Sequence, residues 1–493
     1  MKIRLGTENP VACMDRDDSN AVMKPSFHVP RLARMIPVFG ASWFIRLSIG
    51  WICVLAAVSC LAQDGNPPVL VSEKSVHQPS PVPDRVVLTW AGTPATSQAI
   101  TWRTDVSVAQ AWVEVMQATD KPLDFKGVRM LAQTRAFSSD LGESHYHSVE
   151  LSDLEPNCIY AYRVGDGVNW SEWQHFRTAK KESAPFSFIY FGDAQNDIRM
   201  HWSRVFRESI RIVPDAAFTL HAGDLINHAQ NDAEWGEWFG APGWVNGTIP
   251  VIATPGNHEY RKTVDLSGIA AGAVDFRKLS DHWRVQFSLP ENGPHGLEET
   301  AYYIDYQGVR IISLNSNEKQ EEQVSWLRDV LGNNPNRWTL ITFHHPVFSP
   351  AKNRDNPELR GLWKPLFDAF KVDLVMCGHD HTYARSGDVS RLGKGGIYNV
   401  ADGFNQVYDS DVGTVYVVSV SGPKMYDLTS FDWAVRVAED TQLFQVVRID
   451  GDTLKFEART ATGKLYDGFS LVKREGKPNE LQELLLPENR REH

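Results

Sequence analysis

Between residues 82 and 178 apolar and polar positions alternate in short runs, at 86–90, 99–102, 111–115 and 160–164, with turn residues between them. Short, β-rich segments at this spacing predict an all-β sandwich over residues 82–179. A polar stretch at 180–185 ends that pattern. From Phe186 onward, apolar runs alternate with amphipathic stretches at 201–213, 321–331 and 357–370, which predicts an α/β domain over residues 186–472. Pro357 suits a first helical turn and Gly332 a helix stop. Further on, 414–420, 443–449 and 454–458 predict antiparallel strands that close the domain, and the charged residues 473–493 a frayed tail. Trp235 and Trp238, at helical spacing, predict core contacts.

The amino-terminal segment reads as a leader. Arg31, Arg34 and Arg46 precede an apolar run at 47–58, which is short for a bilayer span and suits a signal-peptide core. Small residues follow, so residues 1–62 are expected to be removed after Ala62 and 63–81 to serve as a linker. A lipoprotein site at Cys60 is weaker, because Ala57-Val58-Ser59 lacks the usual leucine; an uncleaved anchor and a start at Met35 also stay open. The expected mature chain is secreted or periplasmic and has no stable membrane span. Of five cysteines, Cys13, Cys53 and Cys60 fall in the leader, leaving Cys158 and Cys377 in different predicted domains and not expected to pair.

Charge narrows the function. The formal net charge is −11 and the leader carries +3, so the exported chain would stand at −14. That balance argues against a nucleic-acid scaffold. A protein of this charge that handles anions must build its positive field locally, and metal ions are the direct means.

Five motifs each follow an apolar run: Asp193 in Gly192-Asp-Ala-Gln195, Asp224 in Gly223-Asp-Leu-Ile-Asn227, Asn257 in Gly256-Asn-His-Glu259, His344 in His344-His-Pro346, and His379 and His381 in Gly378-His-Asp-His381. Ligands in open α/β sheets bind at the carboxyl ends of strands, so all five are expected at one rim. Oxygen and imidazole donors without thiolates suit Fe, Mn or Zn, and one aspartate can bridge two ions. A lone Gly-Asp is an ordinary turn; the ordered set is what carries weight.

In this order the motifs resemble the calcineurin-like metallophosphoesterases, and the chain looks purple acid phosphatase-like, with residues 82–179, above all the segment 151–179, similar to a fibronectin type III module at its front. The resemblance implies an N-terminal sandwich followed by an α/β domain of two β-sheets flanked by helices. It further implies a two-metal site in which Asp193, Asp224 and His381 hold the first ion, Asn257, His344 and His379 the second, and Asp224 bridges. His258 would be the general acid, with Glu259 as the natural group to orient it. Two positions depart from the purple subset. Asn227 stands where those enzymes have their tyrosine, so no purple band is expected, and Gln195 replaces a glycine and offers an amide oxygen as a substitute ligand. Asn227 is a ligand, a neighbour of the ligands or a spacer. His345 and Arg354 are candidates for substrate binding, weighed against a packed histidine and a solvated loop arginine.

The implied activity is hydrolysis of a small-molecule phosphate monoester by a metal-bound hydroxide. Diesters and nucleotides stay open as substrates, as does a non-catalytic surface or adhesion module. Oligomeric state is not legible.

Overall fold

The computed structural model describes residues 70–122, 125–264, 275–387, 413–428 and 433–484. The leader, the cleavage site at Ala62 and the lipoprotein site at Cys60 lie outside the described residues. No helix among the described residues is long and apolar enough to cross a membrane.

The first domain is a sandwich of two four-stranded antiparallel sheets. One is ordered Asp84–Thr89, Gln98–Thr104, Gly142–Leu151, Gln133–Ser139, and the other Val128–Leu131, Trp112–Gln117, Ile159–Gly165, Gln174–Arg177. Period-two alternation decides the inner face: Val113 and Val115 meet Tyr160, Tyr162 and Val164 in a core shared with Ile100 and Trp102. Between those positions Glu114 pairs with Arg163 at 2.9 Å, and the Arg163 guanidinium lies 4.4 Å from the Trp170 ring centre.

The second domain holds two seven-stranded mixed sheets. In the first, Phe186–Phe191, Thr219–His221 and Val251–Ala253 run parallel, and Leu443–Asp450 continues the sheet antiparallel to Phe186–Phe191. In the second, Val309–Ser313, Trp338–Phe343, Leu374–Cys377 and Val415–Val418 run parallel. The second sheet is buried on both faces, which explains its continuous apolar runs. Leu340, Leu374 and Met376 pack toward the first sheet, while Ile341, Phe343 and Val375 pack under the helices Glu322–Gly332 and Pro357–Ala369. Trp235 and Trp238 are fully buried in the core on the first sheet.

Three elements differ from the sequence reading. Val415–Val418, expected to close the domain together with 443–449 and 454–458, lies instead inside the second sheet, antiparallel to Tyr383–Arg385 on one side and parallel to Leu374–Cys377 on the other. Its alternate residues, Val417 and Val418, feed the two different cores, a demand that a local pattern does not reveal. The expected frayed tail instead supplies a strand, Lys477–Glu483, paired with Leu465–Arg474. It is the edge of its sheet, where charged side chains are the usual composition, and Glu483 pairs with Arg385 at 2.7 Å. The helix expected at 201–213 begins at Ser203, after a widened turn at Ile198–Trp202. Cys158 and Cys377 are both buried and are not joined by a disulfide.

A buried polar cluster joins the domains. Asp232, at the start of the helix Asp232–Gly240, lies 2.6 Å from Arg85 and 3.1 Å from Arg103, two sandwich arginines, and 3.4 Å from His282.

Candidate metal centre

The parallel strands of both sheets end at one rim, and the loops that leave them carry the donors. The turns are tight. A side chain on Gly223, at φ +88°, would come within 2.7 Å of both Gly256 and the His344 ring, and one on Gly256 would strike the Asp224 carboxylate at 2.2 Å. Four donor residues also occupy the left-handed region: Asp193 at φ 22°, Asp224 at 51°, His379 at 75° and His381 at 49°. Such conformations cost free energy for non-glycine residues and concentrate at functional sites.

The donors converge. Ligand atoms of Asp193, Asp224 and His344 all lie within 4.8 Å of one another, as do those of His344, His345 and His379. His344 Nε2 is 3.2 Å from Asp224 Oδ2, 3.1 Å from Asn257 Oδ1 and 3.0 Å from His379 Nδ1. Outer partners fix which ring atom faces inward: His344 Nδ1 donates to the Ala222 carbonyl at 3.0 Å and His381 Nδ1 to the Lys424 carbonyl at 2.8 Å. In the neutral imidazole each Nε2 is then the atom left with a lone pair, the usual arrangement behind metal-bound imidazoles. Asp193 Oδ2 accepts from the His379 backbone N–H at 2.6 Å.

The electrostatics call for a cation. Burial opposes charge on His344, yet Asp224 and Asp193 outweigh it and push the imidazole up to about 9. Burial raises both aspartates; for Asp224 the His344 and His258 charges reverse this and hold it below the usual carboxylate range, while Asp193 stays raised, with the Asp224 charge adding to its burial. Burial lowers His345 to about 3 and His381 to about 4, and with the neighbouring His344 and His345 charges it takes His379 lower still. Neutral imidazole is the ligating form. Asp193 Oδ1 and Gln195 Oε1 are buried acceptors with no partner. Orphaned oxygen acceptors beside neutral imidazoles fit divalent or trivalent ions held by oxygen and nitrogen.

Of the other predicted residues, His258 joins the site: its backbone N–H donates to Asp224 Oδ1 at 2.8 Å, and its Nε2 lies 3.9 Å from Asp224 Oδ2. Glu259 does not orient it. The Glu259 carboxylate accepts from the backbone N–H groups of Gly256, Asp224 and Leu225 at 2.6, 2.9 and 2.8 Å, so it shapes the turns, and the Asn227 carbonyl takes the His258 Nδ1–H instead. Burial and the Asp224 charge push Glu259 up to about 8 against those donors. Cations at Asp224 would cancel that repulsion and leave the N–H groups to favour the carboxylate.

Asn227 contributes its carbonyl rather than its amide, which turns to the His228 ring at 3.1 Å; its role as a side-chain ligand is not supported. His345 packs against the His379 ring at 4.2 Å and bonds Ser316 through Nδ1 at 2.9 Å. Arg354 is partly buried and tied into the site's own loop rather than left as a free loop arginine. It bonds Asp380 and the His379 carbonyl, both at 2.9 Å, and so braces the loop that bears two donors. Sequence reasoning missed Tyr426, whose ring lies 4.6 Å from His381 and 5.0 Å from the Arg354 guanidinium. It sits on a loop with no motif, and nothing local marks it.

Two sheets whose parallel strands deliver this donor set define a metal-dependent phosphoric ester hydrolase. Residues 187–383 match the calcineurin-like phosphoesterase family and residues 83–178 the purple acid phosphatase N-terminal domain, so the chain carries a calcineurin-like phosphoesterase domain behind a purple acid phosphatase N-terminal domain. It is 28% identical over 375 residues to an uncharacterized protein of Mycobacterium tuberculosis, covering 66% of this chain and 67% of that one. It is 28% identical over 398 residues to acid phosphatase type 7 of Mus musculus, covering 73% and 84%. The solved purple acid phosphatase PPD1 from yellow lupin seeds shares the fold with a TM-score of 0.65 at 20% identity, over 80% of this chain and 75% of that one. The fold implies a dinuclear metal centre, which the convergent donors fit.

Proposed function

We propose that this protein is an exported phosphomonoesterase that hydrolyses small phosphate esters at a pair of Fe, Mn or Zn ions. Asp193, Asp224 and His381 hold the first ion, Asn257, His344 and His379 the second, and Asp224 serves both. The observation that carries the reading is the buried Asp224 carboxylate, which meets His344 Nε2 at 3.2 Å through one oxygen and the His258 N–H at 2.8 Å through the other. When bound, such a pair activates a water nucleophile and neutralises charge on the phosphoryl oxygens. The chain's own residues do the rest: outer carbonyls aim the imidazoles, and His258 Nε2 stands beside Asp224 to protonate the leaving oxygen. Similarity to acid phosphatase type 7 supports monoesters over diesters. Export rests on the arginines and the apolar run at 47–58.

The test is hydrolysis of p-nitrophenyl phosphate and its bis ester by the purified protein, before and after chelation and add-back of each metal. Activity on the monoester should vanish with chelator and return with metal. Asp224→Ala should lose both ions together; full activity with normal metal content in that variant overturns the assignment.

A further inference from the structure

The His258 ring is fixed by a backbone carbonyl, and that carbonyl belongs to a peptide unit with a carboxylate at its other end. The unit consists of the C=O of Asn227 and the N–H of His228, held in one plane by the amide bond. Its oxygen accepts from His258 Nδ1–H at 2.5 Å. Its N–H donates to Glu234 Oε2 at 2.7 Å, and the same oxygen takes the Asn227 N–H at 2.8 Å. Glu234 Oε1 lies 2.6 Å from His228 Nδ1, so both carboxylate oxygens are engaged on this one turn.

A trans peptide points its N–H and C=O in opposite directions, so a carboxylate that fixes the N–H also fixes the direction of the C=O. Consecutive hydrogen bonds polarise one another as well, and a carboxylate at the N–H end makes the oxygen a better acceptor. Both effects hold a proton on His258 Nδ1. They leave Nε2, 3.9 Å from Asp224 Oδ2, as the ring atom that faces the site. Glu234 is itself placed by a rigid element. The Asn231 side chain caps the helix Asp232–Gly240 by accepting from the N–H groups of Ala233 and Glu234, and the sandwich arginines Arg85 and Arg103 hold Asp232 at 2.6 and 3.1 Å.

We propose that Glu234 is the positioning residue of the general acid, acting on His258 through the peptide unit between Asn227 and His228. This rests on the general-acid reading of His258 above. In the step it serves, the Nε2 proton passes to the leaving oxygen as the P–O bond breaks, and the neutral ring keeps its Nδ1–H on the Asn227 carbonyl.

The test is a leaving-group comparison on the metal-loaded enzyme, with metal content measured alongside. Glu234→Gln keeps the length of the side chain and removes its charge. Turnover on an alkyl phosphate should fall about tenfold or more, the size of loss seen when the group behind a functional imidazole is replaced. Metal content should hold, and p-nitrophenyl phosphate, whose leaving group needs little protonation, should keep most of its turnover. In the His258→Asn background the same substitution should cost nothing further on the alkyl phosphate, because losses are not additive when one residue acts through another. Glu234→Ala should show the same split and serves if the glutamine variant does not fold. Equal losses on the two esters, or a loss that adds in full to that of His258→Asn, overturn the proposal. A His258→Asn enzyme that itself loses equally on both esters sinks the general-acid reading instead.

Discussion

The Nδ1–H of His258 donates to the backbone carbonyl of Asn227 at 2.5 Å, and this bond aims the other ring nitrogen at Asp224. Asn227 is itself held: the Glu234 carboxylate accepts from the N–H groups of Asn227 and His228 at 2.8 and 2.7 Å. Glu234 lies two residues after Asp232 on the helix that the sandwich arginines grip. A line of contacts therefore runs from the domain interface to the residue proposed as the acid.

The first prediction concerns that acid. His258→Asn should retain fold and metals but lose on the order of a hundredfold or more in turnover on alkyl phosphates, the range of positioned general-acid catalysis. Esters with good leaving groups need little protonation and should lose far less. Equal losses across a leaving-group series, with metals retained, would remove His258 from this role.

Asp232 supplies a prediction about stability. Burial pushes its carboxyl up, but His282, Arg85 and Arg103 outweigh this and hold it below the usual carboxylate range. A depressed folded value means the contribution is full above the unfolded value of about 4 and fades as pH falls below it. Asp232→Asn leaves two buried arginines underpaired and should cost about 3–5 kcal/mol at pH 7. Urea unfolding should show the gap between variant and wild type narrowing below about pH 4. A gap that does not change with pH would mean the carboxylate charge is not what stabilises the interface.

Much of this was legible in the sequence, and the limits have physical causes. Strand runs such as 338–343 and motifs such as Gly256-Asn-His-Glu259 are local signals, so the two domains and the shared rim could be read directly. The Glu259 role could not, because its partners are backbone N–H groups supplied by another loop, at Asp224 and Leu225. Arg354 looked like a solvated loop residue until the fold set Asp380 against it. Lys477–Glu483 looked frayed because an edge strand and a charged tail share a composition.

Colour gives a third prediction. Asn227 has no phenolate, and the tyrosines nearest the donor motifs in sequence are committed elsewhere: the Tyr260 hydroxyl to Glu318 at 2.7 Å and the Tyr383 hydroxyl to Asp467 at 2.6 Å. Iron-loaded protein should lack a strong charge-transfer band in the visible. Asn227→Tyr loaded with iron should gain one. A strong band in the wild type would require a phenolate at the iron, and Tyr426, whose ring lies 4.6 Å from that of His381, would be the residue to replace with phenylalanine.

The last prediction separates two roles for Glu259. Its carboxylate receives four backbone N–H groups from two loops, Gly256 on its own turn and Asp224, Leu225 and Ile226 on the other, and it is fully buried. Glutamine at this position keeps the shape but turns one acceptor into an NH2 that faces N–H donors. At least one buried donor is then orphaned, at about 1–3 kcal/mol, with further cost from the opposed hydrogens. Glu259→Gln should therefore lower unfolding free energy by roughly 2–4 kcal/mol. Because Asp224 is aimed by the same bonds, metal affinity should fall about tenfold or more, as when residues behind metal ligands are replaced. Saturating metal should restore most of the turnover, and the dependence on leaving group should match the wild type. If Glu259 instead acted through His258, metal affinity would hold and the loss would concentrate on poor leaving groups. Metal titration and a leaving-group series on the same variant decide between these two outcomes.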